Sequence, residues 1–344
     1  MEGRQLGLFS VNPECPFKNL IEYDDTECYS LAESHSYDVI SENDPVLGRW
    51  LADISGVYFE NVFVKETPDI KLPSFLPTIN GGGKKINTGA GQFVAISLGT
   101  IVSIKQLKVR VNIREVLGLT SETKLVLLSY GKDELIENIW PKRWDLYKTL
   151  LGVGIDLITS INYSIWFNQN HCEHLINVKR NLLTFQEMQK VGLPAIPNVY
   201  WYGQKDLFRW ATWLNSNPLV KLAAINLQTL RTKKEWSKTI SDLKYFSGIL
   251  KNNIQFLITG PSSMERINQI KEIFPSVSFT NKYCSMMAAS GMRLTTNSSG
   301  LLHFYSKSSR KYVFRKNISL FKKMTSKGIP TDIKNKTVSS FIVS

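Results

Sequence analysis

Apolar and polar residues alternate along residues 124–291 in six repeats of one pattern. Each repeat begins with a short aliphatic or β-branched run, passes through a polar turn and continues into a stretch of helical periodicity. The apolar runs are KLVLLSYG, IDLITSIN, PAIPNVYWYG, VKLAAINLQT, IQFLITG and VSFTN, which begin at positions 124, 155, 194, 220, 254 and 277. The pattern predicts six strands, each followed by a helix.

Six consecutive strand–helix units predict parallel strands, because parallel neighbours need the long crossover connections that helices provide. The near-continuous apolar character of each run agrees with a sheet that is covered on both faces. FVAISLGTI at residues 93–101 and LLHFYSK at residues 301–307 are candidates for two further strands, which would bring the count to eight. We therefore predict an α/β fold built as a parallel, TIM-barrel-like (β/α) barrel, complete or incomplete. An open doubly wound sheet is the alternative.

Composition divides the chain into three predicted parts. Residues 1–80 are acidic and lack sustained periodicity, so we interpret them as an N-terminal extension or cap. The glycine-rich connection GGGKKINTGAGQF follows and marks a boundary near residue 80. Residues 81–306 form the predicted barrel-like domain, and residues 307–344 form a predicted basic C-terminal tail.

Charge is distributed unevenly between these parts. Residues 1–80 contain five Lys or Arg and fourteen Asp or Glu, whereas the whole chain has a net charge of +13. Residues 301–344 contain ten basic side chains and a single acidic one, Asp332. A positive balance of this size favours a polyanionic partner, of which nucleic acid, DNA or RNA, is the commonest in the cytoplasm. A basic surface that only aids solubility is the alternative.

The predicted tail mixes basic and aromatic residues in KSSRKYVFRKNISLFKK, residues 307–323. This mixture suits neutralisation of a phosphate backbone together with stacking on bases. A strand with a solvated basic face would have the same composition. The candidate nucleic-acid-binding residues are Arg310, Lys311, Arg315, Lys316, Lys322 and Lys323.

The remaining composition fits a cytoplasmic globular protein. Hydrophobic residues make up 43% of the 344 residues and charged residues 21%, which is enough apolar material to bury a core. No run approaches the roughly eighteen apolar residues needed to cross a bilayer, so we expect no membrane partner. The N-terminus lacks the apolar core of a signal peptide. Four scattered cysteines predict neither a disulfide framework nor a zinc knuckle.

The predicted strand ends are rich in amides, hydroxyls and aromatics, and in α/β folds the functional groups stand at the carboxyl ends of the strands. Asn and Gln pair with the edge of a nucleobase, and a Trp ring stacks on its face. Alternatively, the Asn and Gln side chains only form hydrogen bonds with backbone groups of neighbouring loops. Arg180 would bind a phosphate if it faced the strand ends. The candidate ligand-binding residues are Asn162, Arg180, Asn181, Trp201, Asn226 and Gln228.

Carboxylates are scarce at the predicted strand ends. A glycosidase or a two-metal nuclease needs at least two of them, and only Asp133 is well placed. Asp156 lies at the start of its strand, so we expect it at the opposite edge, which stabilises the fold. Asp133 and Ser164 are the candidate catalytic residues, and the sequence leaves open whether the protein is an enzyme.

HCEH, residues 171–174, places His171 and His174 three residues apart at the start of a predicted helix. Zinc usually needs a third protein ligand at a defined spacing, and the sequence shows none. We therefore predict polar residues at a helix start and no metal site. The residues identify no cofactor and no oligomeric state.

The order ITSINYSIW, NVKRN, GLPAIPNVYW and LAAINLQT, between about residues 150 and 230, resembles an uncharacterised domain family of bacterial, phage and plasmid genomes. Members of that family tend to show an acidic residue before a Phe/Tyr–Ser pair, an Arg–Asn pair in the following helix and Pro-x-x-x-Trp in the next strand. The residues that match are Ser164, Arg180, Asn181, Pro197 and Trp201. Asn162 stands where the acidic residue is expected. The resemblance implies a barrel-like α/β domain and a mobile-element setting.

Together these observations predict a nucleic-acid-associated protein of the mobile-element type with a strand-end pocket for a base or nucleotide. A small-molecule enzyme acting on a phosphorylated metabolite is the first alternative. In that case the pocket would bind the metabolite, and the basic tail would only contribute surface charge. A non-enzymatic scaffold is the second alternative, in which the acidic first eighty residues cover the basic face.

Overall fold

The computed structural model describes residues 51–79, 92–103, 107–165, 171–297 and 300–326, except for the side chains at positions 171 and 172. Its strands are β1 (Phe75–Pro77), β2 (Phe93–Ser97), β3 (Lys124–Leu128), β4 (Leu157–Thr159), β5 (Ala195–Ile196), β6 (Asn198–Val199), β7 (Leu222–Asn226), β8 (Gln255–Thr259), β9 (Val277–Asn281), β10 (Met292–Asn297) and β11 (Gly300–Tyr305). Its helices are α1 (Leu98–Ile101), α2 (Ile113–Leu117), α3 (Asp133–Ile139), α4 (Arg143–Leu151), α5 (His171–Lys190), α6 (Gln204–Ser216), α7 (Lys233–Ile249), α8 (Met264–Ile273), α9 (Tyr283–Ala289) and α10 (Arg310–Ser326). Within these ranges no helix combines the length and the apolar character needed to cross a bilayer.

Strands β1–β9 form two parallel sheets. The order in the first sheet is β1-β9-β8-β7-β6, and the order in the second is β2-β3-β4-β5. Strands β10 and β11 pair antiparallel in a separate hairpin. The predicted α/β class with parallel strands is confirmed, and each of the six predicted strand regions from residue 124 onward contains a strand that precedes a helix.

Hydrogen bonds join the two sheets at two places. Residues 195–199 run as one strand interrupted at Pro197, so that β5 pairs with β4 and β6 pairs with β7. Pro197 has no N–H to donate, but its carbonyl accepts from the N–H of Ala224 at 2.8 Å. At the other place, β1 pairs with β9, and just beyond β1 the N–H of Ile79 donates to the carbonyl of Ala95 in β2 at 2.8 Å. Backbone hydrogen bonds therefore link the two sheets at both places.

Alternate strand residues face two different apolar clusters, as the two-residue period of a strand requires. The smaller cluster draws its members from the strands and the segments beside them, and includes Leu76, Val126 and Leu257. The larger cluster joins the opposite strand positions, such as Leu127 and Ile225, to the helices. The helices therefore cover one face of the strands, and side chains of the strands themselves fill the other.

The structure differs from the prediction in the source of one strand. Residues 93–97 lie in a parallel sheet as expected, but residues 300–305 belong to the antiparallel hairpin. The place between β9 and β2 is taken by β1, which comes from the region predicted to be an extension. A strand of three residues is too short for its periodicity to be visible in the sequence. The division predicted near residue 80 therefore cuts through the fold.

Residues 310–326, predicted as part of a basic tail, form helix α10. Val313, Phe314, Ile318 and Phe321 are buried at helical spacing, so one stripe of this helix packs into the core. The ring of Phe321 stacks on Phe75 of β1, with the ring centroids 4.9 Å apart. The helix is thus part of the fold, and residues 327–344 of the predicted tail lie outside the described residues.

Residues 57–67 form an irregular N-terminal strap across helices α5 and α6. Its carbonyl groups accept hydrogen bonds from helix side chains, among them Nε2 of Gln186 to the carbonyl of residue 63 at 2.9 Å and Nζ of Lys179 to the carbonyl of residue 58 at 2.6 Å. Side chains of the helices thus form the hydrogen bonds that the backbone of the strap would otherwise form with a neighbouring strand. The described part of the predicted acidic cap is packed on these helices, and residues 1–50 lie outside the described residues.

Lys179 is the buried cation of this contact. Its Nζ also donates to Oδ1 of Asn61. Burial lowers the pKa of Lys179 to about 7, and the nearby Arg209 lowers it as well, whereas Glu60 raises it. The ammonium group is therefore less stable in the folded protein than in water.

We expect the free energy of unfolding to rise with pH because of Lys179. An unfolded lysine keeps its proton up to about pH 10, so between pH 7 and that value the folded state binds fewer protons than the unfolded state. Urea denaturation should show a rise of roughly 2 kcal/mol from about pH 7 to about pH 9. Lys179→Met should remove most of this rise, and Lys190→Met, at an exposed position of the same helix, should retain it. Equal slopes in the wild type and Lys179→Met would contradict the expectation.

Candidate functional site

Polar side chains form a buried layer at the carboxyl ends of the parallel strands. The hydroxyl of Tyr130 donates to Oδ1 of Asn198 at 3.2 Å, and Nδ2 of Asn198 donates to Oδ1 of Asn162. Elsewhere in the layer the hydroxyl oxygens of Thr78 and Thr280 are 2.7 Å apart. None of these five residues, which we call the polar layer, is more than 8% exposed. Amides and hydroxyls are thus concentrated at the strand ends, and these five side chains form hydrogen bonds among themselves, whereas the buried hydroxyl of Ser129 has no partner among the described residues.

Strand alternation explains why these side chains share a layer. Asn198 lies two residues beyond Ile196, and Tyr130 lies two residues beyond Leu128, so each follows a residue of the smaller apolar cluster on the same side of its strand. Burial raises the pKa of Tyr130, and the neighbouring hydroxyl of Thr259 opposes the rise only in part. The phenol of Tyr130 therefore stays neutral at physiological pH and acts as a hydrogen-bond donor.

The two candidate catalytic residues contact each other. Oγ of Ser164 donates to Oδ1 of Asp133 at 2.7 Å, although the two residues follow different strands. Both side chains are half-buried. Tyr200 lies beside them: burial raises the pKa of Tyr200, a backbone hydrogen bond from Ile165 opposes this rise, and the carboxylate of Asp133 adds to it. The strand ends thus bring an acid, an alcohol and a phenol together, and this set alone does not define a reaction.

Helix α5 fixes the backbone of residues 161–164, which carries part of this site. Oγ1 of Thr184 accepts from the N–H of residue 161 at 3.2 Å, and Oδ1 of Asn181 accepts from the N–H of residue 163 at 2.6 Å. Nδ2 of Asn177 donates to the carbonyl of residue 164 at 2.9 Å. These three side chains are four and three residues apart, so they share one face of the helix. Asn181 therefore positions the segment, and its role as a ligand stays a prediction.

Arg180 lies inside the fold and is 0% exposed. Its guanidinium carbon is 4.5 Å from the ring centroid of Trp140 and 3.5 Å from that of Tyr163. Nη2 of Arg180 donates to Oε2 of Glu137 at 2.9 Å, and Nη1 donates to Oδ1 of Asn177 at 3.0 Å. A phosphate at this position would have to displace these partners. The structure uses Arg180 to tie helix α5 to helix α3.

The other predicted ligand-binding residues form different contacts. Nε1 of Trp201 donates to Oδ2 of Asp242 in α7 at 3.1 Å, so helix α7 holds the indole. Asn226 is half-buried, and its Oδ1 accepts from the backbone N–H of Gln228 at 3.1 Å. The side chain of Gln228 is exposed, whereas Asn162 belongs to the buried polar layer. Among the described residues, the hydrogen-bond partners of Trp201 and Asn226 thus differ from those of Asn162.

A cavity of about 500 Å³ lies away from the strand ends. It is formed by the N-terminal strap and helix α6, and Phe63 and Phe208 expose their rings at it. None of the predicted ligand-binding residues lines this cavity. This cavity is therefore not the amide-lined pocket that the sequence predicts at the strand ends.

The HCEH motif lies at the start of helix α5, as its sequence predicts. His174 is buried, and its ring centroid is 4.4 Å from that of Tyr202. The side chains of His171 and Cys172 lie outside the described residues. Among the side chains that are described, no group of three His, Cys, Asp or Glu is arranged to hold a metal ion.

A second candidate surface is formed by the hairpin β10–β11 and the solvent side of helix α10. Between residues 273 and 326 the chain contains nine Lys or Arg and no Asp or Glu. We call eight of these cations the basic face: Arg293, Lys307, Arg310, Lys311, Arg315, Lys316, Lys322 and Lys323. Within the described part of the chain none of the eight forms an ion pair. All six predicted nucleic-acid-binding residues therefore lie on one positively charged surface, and only Lys322 among them is half-buried.

The hairpin is the part of this surface that the sequence analysis missed. It brings Arg293, Phe304 and Tyr305 to the basic face, whereas residues 301–307 were expected in a buried parallel strand. The available signal is the run NSSG at residues 297–300 between two short β-type segments, which is typical of a hairpin turn. The exposed aromatic residues of the second segment also disagree with a buried strand.

Arg180→Met should lower the free energy of unfolding by about 3 kcal/mol, because it leaves the carboxylate of Glu137 without its partner. Urea denaturation measures the change, and Arg315→Met, at an exposed position, is the matched control with an effect below about 0.5 kcal/mol. Adding Glu137→Gln to Arg180→Met should recover part of the loss. Unchanged stability of Arg180→Met would contradict the expected contribution of the Arg180–Glu137 pair to the fold.

Comparison with known proteins adds no assignment to this geometry. No family model matches the chain, and no curated protein matches its sequence. The resemblance to a domain family of mobile elements therefore stays a prediction. The arrangement of the strand ends and the basic face is the basis on which a function can be proposed.

Proposed function

We propose that this protein binds nucleic acid, DNA or RNA, through the basic face. The observation that carries the proposal is the run of nine Lys or Arg without an acidic residue between positions 273 and 326. A phosphate backbone is the polyanion that such a surface favours, because each phosphate that it neutralises releases a condensed counterion. The proposal implies a cytoplasmic location, where nucleic acid is accessible.

The dimensions of helix α10 suit a phosphate backbone. Arg310 and Lys323 lie thirteen residues apart, which corresponds to about 20 Å along the helix axis. That length spans about six nucleotides of one strand of duplex DNA. Since the buried stripe of α10 faces the core, its cations are displayed on the solvent side along this length. The surface therefore matches several phosphates at once.

We also infer that the two parallel sheets close into one eight-stranded (β/α) barrel. When residues 195–199 are counted as one strand, β1–β9 amount to eight strands. The hydrogen bonds at Pro197 and at Ile79 support closure, because they join the sheets at both edges. The apolar cluster made by the strands would then fill the interior, as in a packed barrel. An open doubly wound sheet would leave two edges unpaired.

The proposed barrel places the basic face beside the strand ends. Strand β9 ends at Asn281, and helix α9 and the hairpin follow it directly. Helix α10 then runs back toward the start of β1, where Oγ1 of Thr325 donates to Oγ of Ser74 at 3.1 Å. We propose the half-buried Asp133 and Ser164, rather than the closed polar layer, as the strand-end position that receives a base or nucleotide.

The wild-type protein should bind oligonucleotides with an affinity that falls steeply with salt. About six phosphate contacts predict a loss of roughly a thousandfold between about 50 mM and about 200 mM salt. Fluorescence anisotropy with labelled single strands and duplexes of about twenty nucleotides measures this dependence. Absence of binding at the lowest salt concentration would reject the proposed function.

Charge reversal tests the location of the binding surface. Lys311→Glu combined with Lys316→Glu should weaken binding roughly tenfold to a hundredfold at low salt. Lys233→Glu combined with Lys234→Glu, at exposed positions in α7, changes the net charge equally and should weaken binding by no more than about threefold. Equal weakening by the two variants would show that net charge, and not the basic face, attracts the oligonucleotide.

A further inference from the structure

The hairpin β10–β11 and the start of α10 expose aromatic rings instead of burying them. Phe304 is 45% exposed, Tyr305 is 69% exposed and Tyr312 is 42% exposed. Single exposed rings are ordinary on protein surfaces, but three within one small region mark an interaction site. These rings lie among the cations of the basic face, so the surface combines flat apolar groups with positive charge.

The two faces of the hairpin differ in character. On one face Leu294 is buried against the fold. The opposite face carries Arg293 on β10 and both Leu302 and Phe304 on β11. Arg293 is the cross-strand partner of Phe304, and its guanidinium carbon lies 5.7 Å from the centroid of that ring. The solvent side of the hairpin therefore presents a ring beside a cation.

The same combination of ring and cation occurs twice more nearby. Nζ of Lys316 lies 5.3 Å from the ring centroid of Tyr312. Tyr305 and Arg310 are neighbours at Gly291, where an added Cβ would lie 3.2 Å from the ring and 3.6 Å from the guanidinium. Gly291, with a φ of 76°, thus allows the backbone to approach both side chains closely.

Hydrogen bonds hold the hairpin against helix α10. Asn317, which is fully buried, accepts from the N–H of Leu294 at 2.8 Å and donates to the carbonyl of Met292 at 3.1 Å. At the base of the hairpin the N–H of Ser306 donates to the carbonyl of Gly291 at 2.9 Å. A platform that is ordered before binding loses less conformational entropy when a ligand arrives.

We propose that the hairpin and the first turns of α10 form a stacking platform for unpaired bases, so that the ligand of the basic face is single-stranded nucleic acid. The inference rests on the proposed function, because the cations must bind the phosphate backbone before the rings meet the bases. Phe304 stacks on a base at the outer face of the hairpin, and Tyr305, on the other face of β11, stacks with Tyr312 on bases beside Arg310 and Lys316. Arg293, Arg310 and Lys316 neutralise phosphates beside them.

Single strands fit this surface better than duplexes do. A single strand exposes the faces of its bases, and stacking on aromatic side chains tolerates any base. In a duplex those faces are covered by neighbouring base pairs, and proteins reach only the phosphates and the edges in the grooves. A single strand therefore gains from both the rings and the cations, whereas a duplex gains from the cations alone.

Replacement of the rings by leucine tests the platform. Phe304→Leu combined with Tyr305→Leu keeps apolar side chains in the hairpin and leaves the charge unchanged. By anisotropy, this variant should bind oligothymidine of about twenty nucleotides roughly tenfold to a hundredfold more weakly than the wild type. Its affinity for a duplex of equal length should stay within about threefold of the wild-type value. Phe208→Leu, an exposed ring on helix α6, is the control and should change neither affinity.

Five outcomes decide between the proposals. Equal loss of affinity for both ligands, or no loss with oligothymidine, would overturn the stacking platform and leave the basic face as a site for charge alone. Polyglutamate binding as tightly as oligothymidine at the same salt concentration would also overturn it. If the leucine variant fails to fold, Phe304→Trp, which keeps a ring, must bind oligothymidine at least as tightly as the wild type. Failure of the wild type to bind any oligonucleotide would remove the proposed function itself.

Discussion

The strand at residues 195–199 is the connection on which the rest of the fold depends. Pro197 has no N–H, so the residues before it pair with β4 and the residues after it pair with β7. One short strand therefore belongs to both sheets. Asn198 stands at this junction and is fully buried, with hydrogen bonds to Tyr130 and Asn162. A buried amide without partners would cost about 1–3 kcal/mol, so the junction and the polar layer constrain each other.

Helix α5 has a related role, because its polar side chains serve as partners for backbone segments on two sides. One set, Asn177, Asn181 and Thr184, holds residues 161–164, and another set, which includes Lys179 and Gln186, holds the N-terminal strap. The side chains of Arg180 and Asn181, which the sequence predicts as ligand-binding groups, thus form hydrogen bonds within the protein. The Arg–Asn pair at 180–181 is accounted for by these internal contacts.

The chemistry of the described residues is concentrated in two places with different properties. The strand ends hold a closed polar layer and, beside it, the contact between Asp133 and Ser164. The basic face holds uncompensated cations and exposed rings on a hairpin that is fixed by Asn317. Side chains of the polar layer at the first place are hydrogen-bonded to one another, whereas the described cations of the second place form no ion pair and lie beside exposed rings. We therefore propose that the second place carries the function.

The sequence by itself determined the parallel α/β class, because six apolar runs alternate with helical stretches and such connections force parallel pairing. It also identified six candidate cations of the C-terminal region, and the structure places them on helix α10 rather than in a tail. Only the tertiary structure decided that three residues at β1 pair with β9 and that Arg180 forms an ion pair with Glu137. The same holds for the contact between Asp133 and Ser164. The physical reason is that periodicity reports which side of its own element a residue faces, whereas pairing and contact depend on elements that are distant in the chain.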